Sequence, residues 1–361
     1  MAGRPEAGRV RALLVYASED HRAHNPTELH LFAGEALPPR EIPARAEEIL
    51  GALQSAGLAE VREPGSLDSD PEARDLLSRV HSADYLAFLQ SAHKRWCALT
   101  GNDGGGEAMP FVRPILGPGF TVPDHVLAEM GRYSNDADPL LAGTWQAAAS
   151  AAACAIGATR AVVDGHGAAA YALARPPGHH AGPDNFGGYC YLNNSAVAAE
   201  LVTVTGRRAA TLDVDTHAGN GTQAVFWRRG DVLSVSLHID PSVEYPYFQG
   251  YPGERGAGDG EGCNHNLTMG LGTQWPQYEP VLEQACRLVD DFGPDIVVVA
   301  LGVDTAVEDG VLALEGDDYR RLGERLARLG RPTVLVQEGG YDLRVLGKNV
   351  AAVIEGFTQA S

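Results

Sequence analysis

The sequence predicts an α/β fold with a mostly parallel central β-sheet and helices on both of its faces. From residue 143 onward, segments with helical and strand patterns alternate along the chain. The strand segments are apolar on both faces, which is typical of parallel strands covered by helices on each side. A chain of 361 residues, 44% of them hydrophobic, can form a large core, and we expect a single domain over residues 1–361.

The predicted elements follow one another in a regular order. The segment ALLVYA at 12–17 predicts the first strand, and helices are expected near 43–56 and 74–91. Residues 98–125 are rich in Gly and Pro and predict a long loop insertion. The later predictions are helices over 143–163, 194–206 and 222–230, strands over 168–174, 208–215, 231–239, 295–304 and 332–338, and a closing helix.

Composition limits the class of function. The five cysteines lie far apart without a CxxC pair, which argues against a disulfide framework and against a thiolate zinc site. The net charge of −19 disfavours nucleic-acid binding and suits a cationic substrate, although a soluble acidic surface alone also explains it. No stretch looks long and apolar enough to cross a membrane, and the N-terminal apolar run resembles a strand more than a signal. We therefore expect a cytoplasmic protein with no membrane partner.

Polar clusters follow four of the predicted strands. RPPGHH follows the strand at 168–174, DVDTHAGNG ends the strand at 208–215, Asp304 ends the strand at 295–304, and EGGY follows PTVLVQ. Binding sites in parallel sheets lie beyond the carboxyl ends of the strands. We therefore expect these four strand ends to converge on one crevice.

The stretch LDVDTHAGNGTQ at 212–223 places three polar side chains on one strand face, since Asp213, Asp215 and His217 are each two residues apart. Asp215 and His217 offer two ligands to a divalent metal such as zinc, and Asp304 is the natural third. Capping or turn roles are the alternative for each of these residues. Asp213, one step deeper, is expected to orient a histidine or to face a bound cation.

Two further motifs offer proton transfer and oxyanion binding. His179 and His180 are adjacent in a loop, where they are either a general base with its electrostatic companion or ordinary turn residues. Tyr341 follows two glycines at a strand end, where its phenol is either a donor to an oxyanion or a packing group.

Taken together, ARPPGHHAG, FGGYCYLNNSAVAA, LDVDTHAGNGTQ, LGVDT and EGGY closely resemble the zinc-dependent deacetylase family that includes histone deacetylases and acetylpolyamine amidohydrolases. SEDHRAHNPTELH, HSADYLAFLQSA and SLHIDPSVEYPYFQGYPGERGAG are most similar to the acetylpolyamine branch. The resemblance covers nearly the whole chain. It implies an arginase/deacetylase-like α/β fold and removal of acetyl groups from N-acetylated amines, above all acetylpolyamines or acetyldiamines, by attack of a metal-activated water.

The resemblance also assigns roles to individual residues. It implies zinc, or else ferrous iron, on Asp215, His217 and Asp304. It pairs His179 with Asp213 and His180 with Asn220, and makes Tyr341 the group that polarises the acetyl carbonyl. It implies a structural potassium ion, bound mainly through backbone oxygens, near Asp213, Asp215, His217, Ser236 and Leu237. The residues that match the lining of the substrate tunnel are Gly188, Tyr189 and Tyr245.

Two positions depart from the family pattern. Ala218 stands where the family commonly has a second histidine, a position that is not a zinc ligand. Leu127 best matches the position at which acetylpolyamine enzymes hold the distal ammonium with an acidic residue, so Asp124 or Glu129 is expected to substitute. In that branch an insertion similar to 98–125 forms a dimer and narrows the entrance. We therefore expect a homodimer and a small-molecule substrate.

Other functions compete with this interpretation. A protein or peptide N-acetyl-lysine deacetylase, or a deacetylase of another small acetylated metabolite, would use the same motifs. An arginase-type ureohydrolase needs a second metal, but Ala, Gly and Asn follow His217 where ligands for that metal would stand. A metal-binding module without catalysis would not need the acid–base groups that are present here.

Overall fold

The computed structural model describes residues 12–32, 35–114, 119 and 121–361. Residues 1–11 of the predicted domain lie outside the described residues. The same is true of residues 115–118 and 120 of the predicted loop. The strands are β1 Leu13–Tyr16, β2 His30–Phe32, β3 Glu35–Leu37, β4 Ala59–Arg62, β5 Ala169–Ala172, β6 Ala209–Asp213, β7 Val232–Ile239, β8 Asn264–Met269, β9 Ile296–Leu301 and β10 Thr333–Gln337. The helices are α1 Ala44–Ser55, α2 Pro71–Val80, α3 Ala83–Thr100, α4 Val126–Tyr133, α5 Thr144–Val163, α6 Asn194–Val204, α7 Asn220–Phe226, α8 Trp275–Phe292, α9 Asp317–Ala327 and α10 Leu346–Ala360.

Eight strands form one sheet in the order β4-β1-β5-β10-β9-β6-β7-β8, and neighbouring strands pair in parallel throughout. The short strands β2 and β3 form a separate antiparallel pair. The predicted α/β fold with a parallel central sheet is therefore confirmed. The sheet order makes β5, β10, β9 and β6 consecutive neighbours, so the four polar strand ends meet at one edge, as expected.

Successive residues of the central strands pack into two different cores, one on each face of the sheet. In β9, Val298 belongs to the core beneath α5 and α6, whereas Val297 and Val299 belong to the core beneath α8, α9 and α10. This alternation follows from the two-residue period of a strand. Helices cover both faces, which explains why the strand sequences are continuously apolar.

Two expectations need correction. The single helix expected near 74–91 is two helices, because Ser82 adopts an extended conformation and its hydroxyl accepts a hydrogen bond from the backbone N–H of Tyr85, starting α3 anew. The expectation that no stretch could span a membrane was also wrong by length and composition, since Thr144–Val163 passes that test. However, 72% of its apolar window is buried inside the protein, as in a core helix. All five cysteines are free thiols.

Candidate active site

Two carboxylates and one imidazole form a compact cluster beyond β6 and β9. The ligand atoms of Asp215, His217 and Asp304 all lie within 4.8 Å of one another. His217 Nδ1 lies 3.4 Å from Asp215 Oδ1 and 3.2 Å from Asp304 Oδ2. Asp304 Oδ2 is buried and has no hydrogen-bond partner among the described residues. This donor set, with one carboxylate oxygen left without a partner, fits a divalent cation such as zinc.

The charges in this cluster favour a cation. Burial alone would lower the pKa of His217, but the adjacent carboxylates of Asp215 and Asp304 raise that pKa to about 10. Burial would likewise raise the pKa of Asp215, but His179 and His217 hold it below its ordinary value. The carboxylates of Asp215 and Asp304 therefore attract positive charge to one point. A divalent cation bound there would compete with the proton on His217.

Backbone groups fix the orientation of both carboxylates. The Gly339 N–H donates to Asp215 Oδ2 at 2.8 Å, and the Thr216 N–H donates to Asp304 Oδ1 at 3.0 Å. A methyl group on Gly339 would collide with the carboxylates of Asp215 and Asp304. The first glycine of EGGY is therefore needed so that the end of β10 can approach the cluster closely. The carboxylates are thus held in place by the chain before any cation binds.

His179 and His180 lie side by side, with ring centroids 4.0 Å apart, yet they contact different partners. His179 Nδ1 lies 2.9 Å from Asp213 Oδ2, and His180 Nδ1 lies 2.7 Å from Asn220 Oδ1. Burial lowers the pKa of both rings, but the carboxylates of Asp215 and Asp213 raise the pKa of His179 well above its ordinary value. The pKa of His180 stays well below its ordinary value because burial and the charge on His179 act together.

Glu338, the first residue of EGGY, anchors the histidine loop. Its Oε2 accepts hydrogen bonds from the N–H groups of Gly178 and His179 at 2.6 and 3.1 Å. Its Oε1 accepts one from the Ser195 hydroxyl at 2.8 Å. Glu338, His179 and Cys190 also lie close enough to hold a metal, but the carboxylate already accepts three hydrogen bonds and His179 is bound to Asp213. We interpret this second cluster as structural support.

Three tyrosines surround the histidines and the metal-ligand cluster. The Tyr341 ring lies 5.5 Å from the Tyr189 ring, and the Tyr245 ring stands edge-on to His180 at 4.8 Å. The Arg45 guanidinium lies 4.6 Å from the centre of the Tyr341 ring. Burial raises the pKa of the Tyr341 phenol well above its ordinary value, although Arg45 acts in the opposite direction. The phenol therefore keeps its proton and can donate it in a hydrogen bond.

Asp124 and Glu129, the residues predicted to bind the distal ammonium, contact Arg95 in the structure. Both Glu129 oxygens receive hydrogen bonds from Arg95 at 2.7 Å, and Asp124 Oδ1 lies 3.0 Å from the same guanidinium. The Asp124 side chain is 98% exposed, and Leu127 packs against the hydrophobic core. Over the described residues, the hydrogen bonds of Asp124 and Glu129 go to Arg95 and not to the tyrosines or histidines above.

The residues expected around a potassium ion are neighbours in the sheet. Asp213 in β6 pairs in register with Ser236 in β7, next to the buried Leu237. The Ser236 hydroxyl lies 2.8 Å from His238 Nδ1 and 3.3 Å from the Gly219 N–H. Asp213 Oδ1 accepts the Asp215 N–H at 3.1 Å. The structure thus brings these residues together behind the cluster.

Sequence reasoning missed several residues that hold the site in place. His238 Nε2 lies 2.8 Å from the Gly250 carbonyl and so fixes the segment that carries Tyr245. Asp136 and Asp138 accept hydrogen bonds from the backbone N–H groups of Gly188 and Tyr189. His238 is a buried polar residue within the apolar run of β7, and this pattern indicates that its ring needs a hydrogen-bond partner. No local sequence pattern connects Asp136 and Asp138 to the turn about fifty residues later.

Comparison with known proteins agrees with this geometry. A family model described as the histone deacetylase domain matches residues 39–357. The chain is 45% identical to acetylpolyamine amidohydrolase 1 of Pseudomonas aeruginosa, covering 97% of this chain and 99% of that protein. It is 41% identical to the acetylpolyamine amidohydrolase of Mycoplana ramosa, covering 95% and 98% of the two chains.

A solved structure shows the same fold. The crystal structure of acetylpolyamine aminohydrolase from Burkholderia pseudomallei superimposes with a TM-score of 0.89 at 39% identity, covering 97% of this chain and 99% of the other. Together with the family match over residues 39–357, this similarity establishes membership. The chain belongs to the histone deacetylase domain family.

Proposed function

We propose that this chain is a metal-dependent deacetylase that hydrolyses N-acetylated polyamines or diamines to acetate and free amine. The observation that carries the proposal is the position of two unequal histidines, one paired with Asp213 and one with Asn220, beside the cluster of Asp215, His217 and Asp304. The names of the relatives support the acetylated-amine substrate.

The residues of the site divide the chemistry among them. A bound divalent cation, held by Asp215, His217 and Asp304, would polarise the acetyl carbonyl and acidify the attacking water. Neutral His180 donates a hydrogen bond from Nδ1 to Asn220, so its Nε2 can accept a proton from the attacking water and return it to the leaving amine nitrogen. His179, whose pKa the carboxylates of Asp215 and Asp213 raise, would stabilise the developing negative charge as an imidazolium. Tyr341 donates its phenolic hydrogen bond to the oxyanion.

The substrate is selected by shape and charge. Tyr189, which packs against Tyr341, and Tyr245, which stands edge-on to His180, would form walls suited to a slender methylene chain, and the Gly188 backbone lies against His180. The net charge of −19 favours a cationic amine. We keep Asp124 and Glu129 as candidates for the distal ammonium, although each would have to share its charge with Arg95.

The finer assignments complete the proposal. We propose zinc, or else ferrous iron, as the catalytic metal, and a structural potassium ion near Asp213, Asp215, His217, Ser236 and Leu237. The insertion at 98–125 supports a homodimer that narrows the entrance, and the cytoplasm is the proposed location. A single domain over residues 1–361 is part of the same proposal.

The test is steady-state hydrolysis by the metal-loaded protein of N-acetylputrescine, N-acetylcadaverine, N-acetylspermidine and an acetyl-lysine peptide. We expect turnover of the small amines, with a higher kcat/KM than for the peptide. Asp304→Ala should lose both bound metal and activity, whereas Asp290→Ala, which changes an exposed acid on α8, should keep both. Equal or better efficiency on the peptide would contradict the polyamine assignment, and normal metal retention in Asp304→Ala would contradict the metal site.

A further inference from the structure

The loop FGGYC forms a tight turn beside the site. The backbone of Gly187 and Cys190 exchanges two hydrogen bonds, of 3.1 and 3.0 Å, around the central residues Gly188 and Tyr189. Both central residues have positive φ, 57° and 66°, as in a type I′ turn. A tyrosine is disfavoured in this left-handed conformation, so other contacts must hold the turn.

Two carboxylates supply those contacts. The N–H of Gly188 donates to Asp136 Oδ2 at 2.8 Å, and the N–H of Tyr189 donates to Asp138 Oδ2 at 2.8 Å. Both acids lie just before α5, about fifty residues earlier in the chain. Asp138 is only 4% exposed, and burial, with the neighbouring charge on Asp136, raises its pKa well above the ordinary value. The surroundings of Asp138 thus favour its protonated form, and a carboxyl oxygen can accept the Tyr189 N–H whether or not the group is protonated.

One of these acids, Asp136, also lies near Tyr245. Asp136 Oδ1 and the Tyr245 hydroxyl are both buried without a hydrogen-bond partner among the described residues. A Cβ on Gly187 would lie 3.2 Å from the Tyr245 hydroxyl and 3.4 Å from Asp136 Oδ1, so these two atoms face the same point. Asp136 thus contacts the turn that carries Tyr189 and also faces Tyr245, whose ring stands against His180.

We propose that Asp136 and Asp138 are positioning residues of the site, which hold the 187–190 turn so that Tyr189 stays packed against Tyr341. The inference rests on the proposed function, because it assigns these acids to the deacetylation reaction. They act through Tyr189 and not by contact with the reacting atoms. Asn at 138 can keep this role, because its amide oxygen can accept the Tyr189 N–H as Asp138 Oδ2 does.

The experiment compares Asp138→Ala, Asp138→Asn and Tyr189→Ala on N-acetylputrescine and on N-butylacetamide, a substrate with the same four-carbon chain but without the distal ammonium. Asp138→Ala should lower kcat/KM on the order of tenfold or more for both substrates. Asp138→Asn should stay within about twofold of wild type. In a Tyr189→Ala background, Asp138→Ala should add no further loss, because the acid acts through that side chain. Asp75→Asn, on the exposed face of α2, is the matched control.

Three kinetic results would each overturn the inference. Asp138→Asn could be as damaging as Asp138→Ala, the loss could be confined to the charged substrate, or the losses from Asp138→Ala and Tyr189→Ala could be additive. Crystal structures of Asp138→Ala and Asp136→Ala add a readout that needs no turnover, and an unchanged 187–190 turn in both would also overturn it. If the wild type hydrolyses neither substrate, the proposed function fails, while the crystal structures still test whether the acids hold the turn.

Discussion

The two adjacent histidines, His179 and His180, have pKa values shifted in opposite directions. Both rings are 3% exposed, so burial disfavours the charged form of each to a similar extent. The difference lies in the neighbouring charges: the carboxylates of Asp215 and Asp213 raise the pKa of His179, whereas His180 has only the Asn220 amide oxygen at Nδ1 and faces the charge on His179. A carboxylate stabilises the imidazolium, whereas an amide only fixes the tautomer. His179 is therefore the charged member of the pair, and His180 is the member that can accept a proton.

This asymmetry predicts different effects of removing each ring. His180→Ala should lower kcat on the order of a hundredfold or more while bound metal is retained, because the general base is lost. Because the pKa of His180 is held well below the ordinary value of 6.5, the base form persists as pH falls, and the acid limb of kcat should lie below that value. Metal content, kcat and the pH profile are the measurements, with the exposed His166→Ala as control. A large loss from His179→Ala alone would reverse the two roles.

At the scale of elements, the strand ends were predictable and their supports were not. Continuous apolar runs identify β5, β6, β9 and β10, and the polar residues after each run identify the crevice. β8 is an edge strand with partly exposed residues at several positions, so it lacks such a run. The acids at 136 and 138, and Glu338, bind backbone groups 51 to 160 residues away, and no local periodicity encodes contacts of that separation.

Glu338 joins the end of β10 to the histidine loop, and its burial predicts a pH-dependent stability. Burial raises the pKa of Glu338 from 4.5 to about 7 in the folded protein. The folded state therefore binds this proton more tightly than the unfolded state, and the resulting stabilisation is full below about pH 4.5 and lost as pH rises through about 7. Gln keeps the acceptor for Gly178 and His179 and does not titrate.

The free energy of unfolding of the metal-free wild type, relative to Glu338→Gln, should thus fall by up to about 3 kcal/mol between about pH 4.5 and about pH 7. Urea denaturation of both proteins across this range measures the difference. Glu279→Gln, an exposed change on α8, should give a difference that does not vary with pH. A constant difference between wild type and Glu338→Gln would mean that Glu338 does not titrate in this window.

At the scale of the whole molecule, the acidic charge and the apolar tyrosine walls act on different parts of the substrate. In the proposed function, the tyrosine walls would contact the methylene chain whether or not the amine carries a charge. The net charge of −19 acts at longer range and only on cations. Salt separates the two contributions, because screening shortens the reach of surface charges and leaves contacts inside the site nearly unchanged.

We therefore predict that salt weakens the capture of charged substrates only. Between about 0.01 M and about 1 M salt the Debye length shortens from about 30 Å to about 3 Å, so kcat/KM for N-acetylputrescine should fall several-fold. The value for N-butylacetamide should stay within about twofold, because that substrate has no ammonium for the acidic surface to attract. A parallel decline of both substrates would indicate an effect of salt on the protein itself, and no decline of N-acetylputrescine would mean that the acidic surface does not contribute to substrate capture.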